Sequence, residues 1–393
     1  MYMPYIPRML ESTFRNLFTH YPIVTITGPR QSGKTTLARA CFPDLPYVNF
    51  ERLDTREYFQ NDPSRFLDSY REGAIFGEVQ RVPSLASWLQ VLVDEERRNG
   101  RFILTGSAQF EMMTQVNQSL AGRNALLRLL PFSMDELRNI GEEKSLERRL
   151  YEGFYPRVHD QNLDPSQASA DYVQTYIERD LRQFGNIHNL SAFQRFLRLC
   201  SGRVGQVLNL ESLGADAGIS GVTARSWLSI LEASYIIFLL PPWFENIGKR
   251  LIKSPKLYFY DVGIAAWLCG IEKESQLETH PLRGNLFENL VVADCLKRRF
   301  NAGKTAALHF FRDARGMEVD LLYPAGDKYV PIEIKSGSTA SPDFLKNLEK
   351  LGSLLPVRFT KGIVAYGGKE IQDRTKGLIC PYTELSRNLP EEG

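Results

Sequence analysis

A glycine-rich segment near the amino terminus constrains the fold of this chain more than any other feature. The segment Gly28–Thr36 has the sequence GPRQSGKTT, which matches the phosphate-binding pattern G-x-x-x-x-G-K-[ST]. An apolar, β-branched run, Ile23–Thr27, precedes it, and a helix-favouring run, Leu37–Ala40, follows it. Because a phosphate loop of this kind joins a strand to a helix, these flanks predict an α/β fold with a nucleotide bound at the loop.

Each residue type in this segment has a phosphate-binding role. Glycines let the backbone wrap a phosphate with its N–H groups, and the helix that follows adds a favourable dipole. Lys34 is placed to reach the β- and γ-phosphates of ATP, and the Thr35 hydroxyl is placed to bind Mg²⁺. The predicted ATP-binding residues are therefore Gly28, Pro29, Arg30, Gln31, Ser32, Gly33, Lys34, Thr35 and Thr36.

The composition limits the class of protein. A length of 393 residues with 43% hydrophobic content predicts two or three domains, and a net charge of +2 confines any nucleic-acid surface to a local patch. The five cysteines lack C-x-x-C spacing, which favours free thiols in a reducing compartment over zinc or disulfides. The amino-terminal segment predicts an amphipathic helix rather than a signal peptide, and no apolar run is long enough to cross a membrane. We expect a cytoplasmic protein without membrane contact.

The pattern of elements changes along the chain. Residues 1–135 alternate strand-like and helix-like segments, as in an ATPase core built on a parallel sheet, and residues 136–185 are mainly helical, as in a lid or connector. Residues 186–262 have the order helix, helix, turn, helix, strand, strand, which is the outline of a winged helix-turn-helix. Residues 280–393 alternate strands and helices again and form a further α/β domain.

The second strand of a P-loop ATPase site normally ends in Asp-Glu, where the Asp holds Mg²⁺ through water and the Glu acts on the attacking water. Here the strand Ala74–Phe76 ends in Gly77 and Glu78. We predict a catalytic Glu78, the alternative being a solvated surface carboxylate. Because Gly77 offers no ligand, nucleotide binding with slow turnover is expected, and Gly77→Asp should raise the turnover.

Further candidates follow later strands. Thr105 and Ser107, at the end of the strand Phe102–Thr105, are placed to sense the γ-phosphate or the lytic water, or to form an ordinary polar loop. Arg123 is a candidate arginine finger that would complete the site of a neighbouring subunit, and Arg157 is a weaker one. A salt-bridged surface arginine is the alternative for both.

Several longer strings resemble one family. Together they resemble the bacterial and archaeal AAA-type ATPases whose C-terminal half is DUF4143. The strings are GPRQSGKTTLAR, EVQRVPSLASWLQVLVDE, RFILTGSAQF, SLAGR, YIERDLRQ, LSILEASYIIFLLPP and GKRLIKSPKLYFYDVG. The resemblance implies an AAA core, a winged helix and a C-terminal domain similar to the PD-(D/E)xK restriction-endonuclease fold. It also implies nucleotide binding and hydrolysis at Lys34, Thr35 and Glu78. The family has Asp-Glu where this chain has Gly77 and Glu78.

Two groups of residues are candidates for DNA contact. The third helix of a winged helix commonly lies in the major groove, and Thr223, Arg225, Ser226 and Ser229 are the polar positions of that helix. A basic set in the wing is placed to contact phosphates. It comprises Lys249, Arg250, Lys253 and Lys256. A protein-interaction module with a solvated basic edge is the alternative.

The C-terminal domain contains the spacing of a PD-(D/E)xK nuclease. Glu333 and Lys335 point to one face of a strand, a neighbouring strand brings Asp320, and a preceding helix carries Glu288. Asp320 and Glu333 could bind Mg²⁺, Glu288 could complete the metal shell, and Lys335 could position the nucleophile. A degenerate nuclease fold used for binding is the alternative. Mutual repulsion of the carboxylates favours a cation among them.

These features lead to three hypotheses. The first is an oligomeric, helicase-like AAA ATPase that uses ATP and Mg²⁺ to act on branched or Holliday-type junction DNA, with a hexameric ring as one candidate form of the homo-oligomer. The second is an ATP-regulated, metal-dependent endonuclease. The third is an ATP-controlled signalling or defence switch that does not process DNA.

Overall fold

A computed structural model describes residues 5–107, 120–141, 143–177, 189–243, 254–354 and 357–391. Lys249, Arg250 and Lys253 of the predicted basic set lie outside these residues. Within the described ranges, no helix has both the length and the apolar character that a membrane span requires.

The first sheet consists of parallel strands in the order β2-β3-β4-β1-β5. Parallel pairing brings the carboxyl ends of all the strands to one edge, so the loops that follow β1, β3 and β4 lie side by side. The predicted phosphate loop, Glu78 and Ser107 all belong to these loops. The strands are β1 Ile23–Thr27, β2 Tyr47–Asn49, β3 Ala74–Gly77, β4 Phe102–Thr105 and β5 Asn124–Arg128.

Helices cover both faces of this sheet. Successive strand residues point to opposite faces, so Ile23 joins one apolar cluster while Val24 joins the other. Continuous burial along β1, β3 and β4 reflects this two-sided packing. The helices are α1 Glu11–His20, α2 Lys34–Cys41, α3 Leu53–Asn61, α4 Pro63–Asp68 and α5 Leu85–Glu96.

A mainly helical region follows, and it ends in a two-stranded antiparallel ribbon, β6–β7. Ser220 caps the helix Gly221–Ala233, since its side chain accepts a hydrogen bond from the backbone N–H of Thr223. The elements are α6 Met134–Asn139, α7 Leu146–Glu152, α8 Pro156–Asp160, α9 Pro165–Tyr172, α10 Leu190–Ser201, α11 Leu210–Ala217, α12 Gly221–Ala233, β6 Ile237–Leu240, β7 Lys256–Phe259 and α13 Val262–Leu268.

The C-terminal region is built on a mixed sheet with the order β12-β13-β11-β10-β9-β8. Strand β10 pairs antiparallel with β9 and parallel with β11. The long helix α14 packs on β9 and β10, because its buried residues extend along almost its whole length. The elements are α14 Arg283–Asn301, β8 His309–Arg312, β9 Glu318–Ala325, β10 Lys328–Lys335, α15 Lys346–Leu354, β11 Gly362–Tyr366, β12 Gln372–Arg374, β13 Gly377–Pro381 and α16 Leu385–Asn388.

The helical region and the C-terminal region share one apolar core, which extends from Leu130 to Leu389. Polar contacts add to it at α14. Buried Lys297 donates to the carbonyl of Phe132 at 2.8 Å, and Asp294 accepts from the backbone N–H of Met134 at 2.8 Å. Buried polar groups paired in this way fix the packing of α14 against the chain that leaves the first sheet.

Candidate functional site

The phosphate loop has the backbone geometry that its glycines predict. Gly28 has φ 146°, and a Cβ at this position would lie 2.1 Å from the carbonyl oxygen of Leu129. Any larger residue would therefore displace the loop from the end of β5. Gly33 also has a positive φ, and α2 begins at the next residue, Lys34. The loop thus lies between β1 and the amino terminus of α2, as the sequence predicted.

Polar groups in the loop are available to a phosphate ligand. The ammonium of Lys34 donates to the carbonyls of Gly28 at 3.0 Å and Pro29 at 2.6 Å. Burial lowers the pKa of Lys34 to about 8, and the nearby Glu78 carboxylate partly opposes this shift. The Ser32 hydroxyl is buried and has no hydrogen-bond partner among the described residues. These groups and the free N–H groups at the start of α2 fit the phosphates of a nucleotide.

Arg8 holds the loop from the amino-terminal side, a role that the sequence reasoning missed. Its guanidinium is buried and donates to the carbonyls of Ser32 at 2.7 Å and Leu130 at 2.7 Å. It also forms a buried ion pair with Glu136 at 3.0 Å. Arg8 therefore connects the phosphate loop to the start of the helical region. The one sequence signal for this role was an arginine inside an apolar pattern.

Glu78 lies beside the loop and belongs to a hydrogen-bonded group. Its backbone has φ 57°, an uncommon conformation for a residue with a side chain. The amide of Gln80 donates to Glu78 at 2.6 Å and to Ser107 at 3.1 Å. Thr105 pairs with Gly77 across β3 and β4, and its buried hydroxyl has no hydrogen-bond partner in the described part of the chain. The structure thus brings Glu78, Thr105 and Ser107 together at one edge of the sheet.

Replacing Glu78 with glutamine should separate nucleotide binding from hydrolysis. The amide keeps the size of the side chain and cannot accept a proton, so we expect the rate of ATP hydrolysis to fall roughly a hundredfold or more. ATP affinity should stay within about threefold of the wild-type value. Steady-state phosphate release and fluorescent-nucleotide titration measure the two effects. The matched control is Glu95→Gln, an exposed residue of α5. Equal rates of ATP hydrolysis in the two variants would contradict a catalytic Glu78.

Gly77 has a neighbour that the sequence did not reveal. A Cβ on Gly77 would lie 2.5 Å from the hydroxyl oxygen of Tyr47 and 2.8 Å from its Cε2 atom. The space that the family's aspartate would need is therefore filled by a tyrosine from β2. This corrects the expectation that Gly77→Asp alone raises turnover, because the new side chain fits only if Tyr47 moves.

The two candidate arginine fingers occupy different places. Arg123 lies at the amino end of β1, where its carbonyl accepts from the backbone N–H of Ile23 at 3.2 Å. This is the edge opposite the phosphate loop, so Arg123 cannot reach the phosphates of its own subunit. Its guanidinium forms a two-pronged ion pair with Asp94, which includes a 2.8 Å contact. Its role at a neighbouring subunit stays a prediction.

Arg157 lies on α8, at a cavity that also reaches the phosphate loop. The cavity has a volume of about 310 Å³, and Gln31 of the loop forms part of its wall. Tyr155 and Tyr172 contribute aromatic rings, which lie 4.5 Å apart between centroids. The Arg157 side chain itself is exposed. The wall mixes apolar and aromatic side chains with polar and charged ones, and the cavity adjoins the phosphate loop, which is a suitable place for the base and ribose of a nucleotide.

The polar face of α12 is open to solvent. Arg225, Ser226 and Ser229 are exposed, and Thr223 is half-buried. Within the described ranges, the guanidinium of Arg225 forms no ion pair. The opposite side of α12 is apolar and buried, and it carries Trp227, Leu228 and Leu231. The helix therefore presents the side that was expected to contact DNA.

Lys256 does not belong to the exposed basic set, and its predicted contact with phosphates is wrong. Its side chain is only 2% exposed, and its ammonium lies 2.8 Å from Glu288 and 2.5 Å from Glu318. The Tyr258 hydroxyl donates to the same Glu288 oxygen at 2.5 Å. Although burial opposes the shift, the carboxylates of Glu288, Asp320 and Glu318 raise the pKa of Lys256. Strand β7 thus inserts a cation into the predicted nuclease-like cluster.

The remaining cluster residues lie on β9 and β10. Lys335 contacts Glu333 at 2.6 Å and Asp320 at 3.7 Å, and Asp320 also accepts from the backbone N–H of Ile334 at 2.8 Å. Burial, together with the Asp320 carboxylate, raises the pKa of both Glu288 and Glu333 to about 7. The four predicted residues therefore come together, and Lys256 and Lys335 supply positive charge among their carboxylates.

The arrangement of this cluster bears on the metal prediction. In the described part of the chain, no group of three or more His, Cys, Asp or Glu residues is arranged to hold a metal ion. One carboxylate oxygen of Glu333 is buried without a hydrogen-bond partner among the described residues. A metal at Asp320 and Glu333 stays a prediction that rests on two carboxylates and this unpaired oxygen.

Comparisons with known protein families match three parts of the chain. Residues 20–138 match the family described as AAA domain, residues 143–275 match a domain of unknown function, DUF8612, and residues 283–385 match a domain of unknown function, DUF4143. Two relatives are each 31% identical over 336 residues, which cover 85% of this chain and 75% of theirs. They are Uncharacterized protein Rv2008c of Mycobacterium tuberculosis and Uncharacterized protein Mb2031c of Mycobacterium bovis.

A solved structure is also similar to this chain. The Walker-type ATPase of Pyrococcus abyssi is 14% identical, with a TM-score of 0.44, and the similarity covers 67% of this chain and 96% of that one.

Proposed function

Because the chain belongs to the family of AAA ATPases that carry a C-terminal DUF4143 domain, we propose that it is an ATP-driven enzyme that acts on DNA, with branched or junction DNA as its substrate. The ATPase assignment follows from the family and the phosphate loop. Action on DNA is the further step, and the exposed face of α12 and its connection to the loop support it.

The nucleotide site would work through residues already described. The N–H groups at the start of α2 and the Lys34 ammonium would bind the phosphates, and Glu78 would accept a proton from the attacking water. Mg²⁺, held through Thr35, would neutralise charge on the transferred phosphoryl group. The cavity between Gln31 and Arg157 would hold the adenosine, since it adjoins the loop and has aromatic walls.

One contact carries the proposal of ATP-driven movement. Thr27, the last residue of β1 before the phosphate loop, shares a 3.0 Å buried hydrogen bond with the hydroxyl of Tyr235. Tyr235 follows α12 directly and has φ 56°. A shift of the loop on nucleotide binding would therefore reach the carboxyl end of α12 through a single hydrogen bond. The other end of α12 presents Arg225 and Ser226 to solvent.

Replacing Arg225 with alanine tests the DNA surface. An exposed arginine that contacts a phosphate releases counterions, so its loss should weaken DNA affinity about tenfold at low salt. The slope of log affinity against log salt concentration should become shallower by about one unit, which corresponds to one phosphate contact. Fluorescence anisotropy with labelled duplex and four-way junction DNA measures both effects. Arg65→Ala, an exposed arginine of α4, is the matched control. Equal affinities for the two variants would contradict contact through α12.

The alternatives predict different results in the same assays. Strand cleavage in Mn²⁺ or Mg²⁺ that is lost in Asp320→Ala and Lys335→Ala would support the endonuclease hypothesis. The two lysines among the carboxylates favour binding over cleavage, because their ammonium groups compete with a metal for the same oxygens. No DNA affinity at low salt would support the switch hypothesis. A homo-oligomer, in which Arg123 reaches a neighbouring site, is compatible with all three.

A further inference from the structure

In the predicted site of ATP hydrolysis, the side chain of Tyr47 occupies the space beside Gly77. The family has an aspartate where this chain has Gly77, and the Tyr47 hydroxyl lies 2.5 Å from the place of the missing Cβ. Tyr47 lies on β2, whose register with β3 pairs Asn49 with Gly77. The strand that borders β3 therefore supplies a polar group at the position that β3 leaves empty.

The contacts of Tyr47 point toward the predicted Mg²⁺ site. Tyr47 and Thr35, the residue that follows the loop lysine, line the same cavity. The guanidinium of Arg39 lies over its ring, with 5.4 Å between the Arg39 Cζ atom and the ring centroid. Thr35 and Arg39 are both on α2 and hold the ring between that helix and Gly77.

We propose that Tyr47 is a positioning residue for Mg²⁺, and that its hydroxyl orients the Thr35 hydroxyl and the metal's water shell in place of the aspartate that Gly77 lacks. The inference rests on the proposed ATPase function and does not depend on the proposed DNA substrate. It assigns a specific chemistry to a chain that would otherwise lack the second Mg²⁺-holding group of its family.

The chemistry of a phenol sets the consequence. A tyrosine phenol has a reference pKa of about 10 and is therefore neutral at physiological pH. A neutral oxygen can accept a hydrogen bond from a metal-bound water or donate one to Thr35, but it contributes no negative charge. Mg²⁺ prefers carboxylate ligands and keeps several waters, so a phenol should hold it more weakly than an aspartate. The Mg²⁺ concentration needed to half-saturate this site should therefore be higher than that needed by a site with Asp-Glu.

The geometry also explains why an aspartate cannot simply be added. A cavity of about 520 Å³, lined in part by Thr35, Arg39 and Tyr47, adjoins the ring. In Gly77→Asp, the new side chain would displace the Tyr47 ring toward this cavity and away from the predicted Mg²⁺ site. Removal of the Tyr47 ring leaves room for a carboxylate without this displacement.

Titration of fluorescent ATP with and without Mg²⁺ tests the inference, and the readout is the ratio of the two dissociation constants. In wild type, we expect Mg²⁺ to tighten binding roughly tenfold, and in Tyr47→Phe the ratio should fall below about threefold. Binding without Mg²⁺ should be the same in both proteins. Tyr70→Phe, a partly buried tyrosine that packs on Phe66 and Phe76, is the matched control and should keep the wild-type ratio.

A double substitution separates positioning from space-filling. Tyr47→Ala with Gly77→Asp should restore the Mg²⁺ ratio to the wild-type value or above, while Gly77→Asp alone should lower it. The inference would be overturned if the ratio of dissociation constants in Tyr47→Phe stayed within about twofold of the wild-type ratio. It would also be overturned if Mg²⁺ did not change the ATP affinity of the wild type. Failure of the DNA experiments would leave this result unaffected, so the two proposals fail separately.

Discussion

Replacing Lys34 with alanine is expected to lower ATP affinity about a hundredfold and to abolish measurable hydrolysis, because charge-assisted hydrogen bonds to the phosphates are lost. Within the described residues, the Lys34 ammonium donates to two backbone carbonyls of its own loop, and phosphate oxygens can replace these acceptors. The variant should fold normally. Fluorescent-nucleotide titration and phosphate release measure the two losses. Lys361→Ala, which removes an exposed lysine paired with Asp373, is the control and should bind ATP like the wild type.

The pH dependence of the same titration identifies the charged group. Burial lowers the pKa of Lys34 to about 8, and only the protonated ammonium attracts phosphate. ATP affinity should therefore be constant below this pKa and fall by up to about tenfold per pH unit above it. In Lys34→Arg, the guanidinium stays charged throughout, so the decline above pH 8 should disappear. An identical decline in both proteins would assign the titration to another group.

Replacing Lys256 with methionine is expected to destabilise the protein by about 3–5 kcal/mol, because buried Glu288 loses its cation. Glu318 loses its shorter contact and keeps Arg312 at 3.2 Å. Methionine fills a similar volume, so the loss reports charge rather than packing. Part of the stability should return at low pH, because protonated Glu288 no longer needs a partner. Chemical denaturation followed by intrinsic fluorescence measures the change.

The control for this prediction is an exposed ion pair. Lys361→Met breaks the contact with Asp373, in which the lysine side chain is 48% exposed and the aspartate 77%. Such pairs contribute about 0–1 kcal/mol, so this variant should denature close to the wild type. Equal denaturation midpoints for Lys256→Met and Lys361→Met would show that the buried cluster does not depend on Lys256.

The alternation of strands and helices could be predicted because hydrophobic periodicity and turn residues are local signals. The bounds of β1 and β4 match their predicted ranges, Ile23–Thr27 and Phe102–Thr105. The apolar run Leu126–Leu130 indicates a strand, but β5 lies nearer the amino terminus, at Asn124–Arg128, since pairing with β1 sets its register. Tertiary pairing, which no local window contains, decides such boundaries.

The candidate nucleotide site was predictable where its residues belong to recognisable motifs or follow predicted strands. The phosphate loop and Glu78 belong to short motifs and lie where those motifs predict. Tyr47, by contrast, reaches Gly77 from a neighbouring strand and belongs to no sequence motif. The gap at Gly77 was visible in the sequence, but the group that fills it was not.

The predicted basic surface shows that sequence proximity does not determine whether a charged side chain is exposed. Lysines close together in sequence were grouped as one basic surface, yet Lys256 begins a strand and turns into the buried cluster. Pairing of β7 with β6 decides which way its side chain points. The carboxylates that attract Lys256 lie on α14 and β9, far along the chain. Net charge and spacing could not anticipate a partner so distant in sequence.

The rate of ATP hydrolysis at low ionic strength, measured with and without DNA, tests the central claim most directly. Single-stranded, duplex, forked and four-way junction DNA of matched length are compared, in wild type and in Arg225→Ala. We expect branched DNA to raise the rate most in wild type, and we expect Arg225→Ala to weaken this stimulation while basal hydrolysis is kept. A wild-type rate that no DNA changes, together with no DNA binding at low salt, would contradict it.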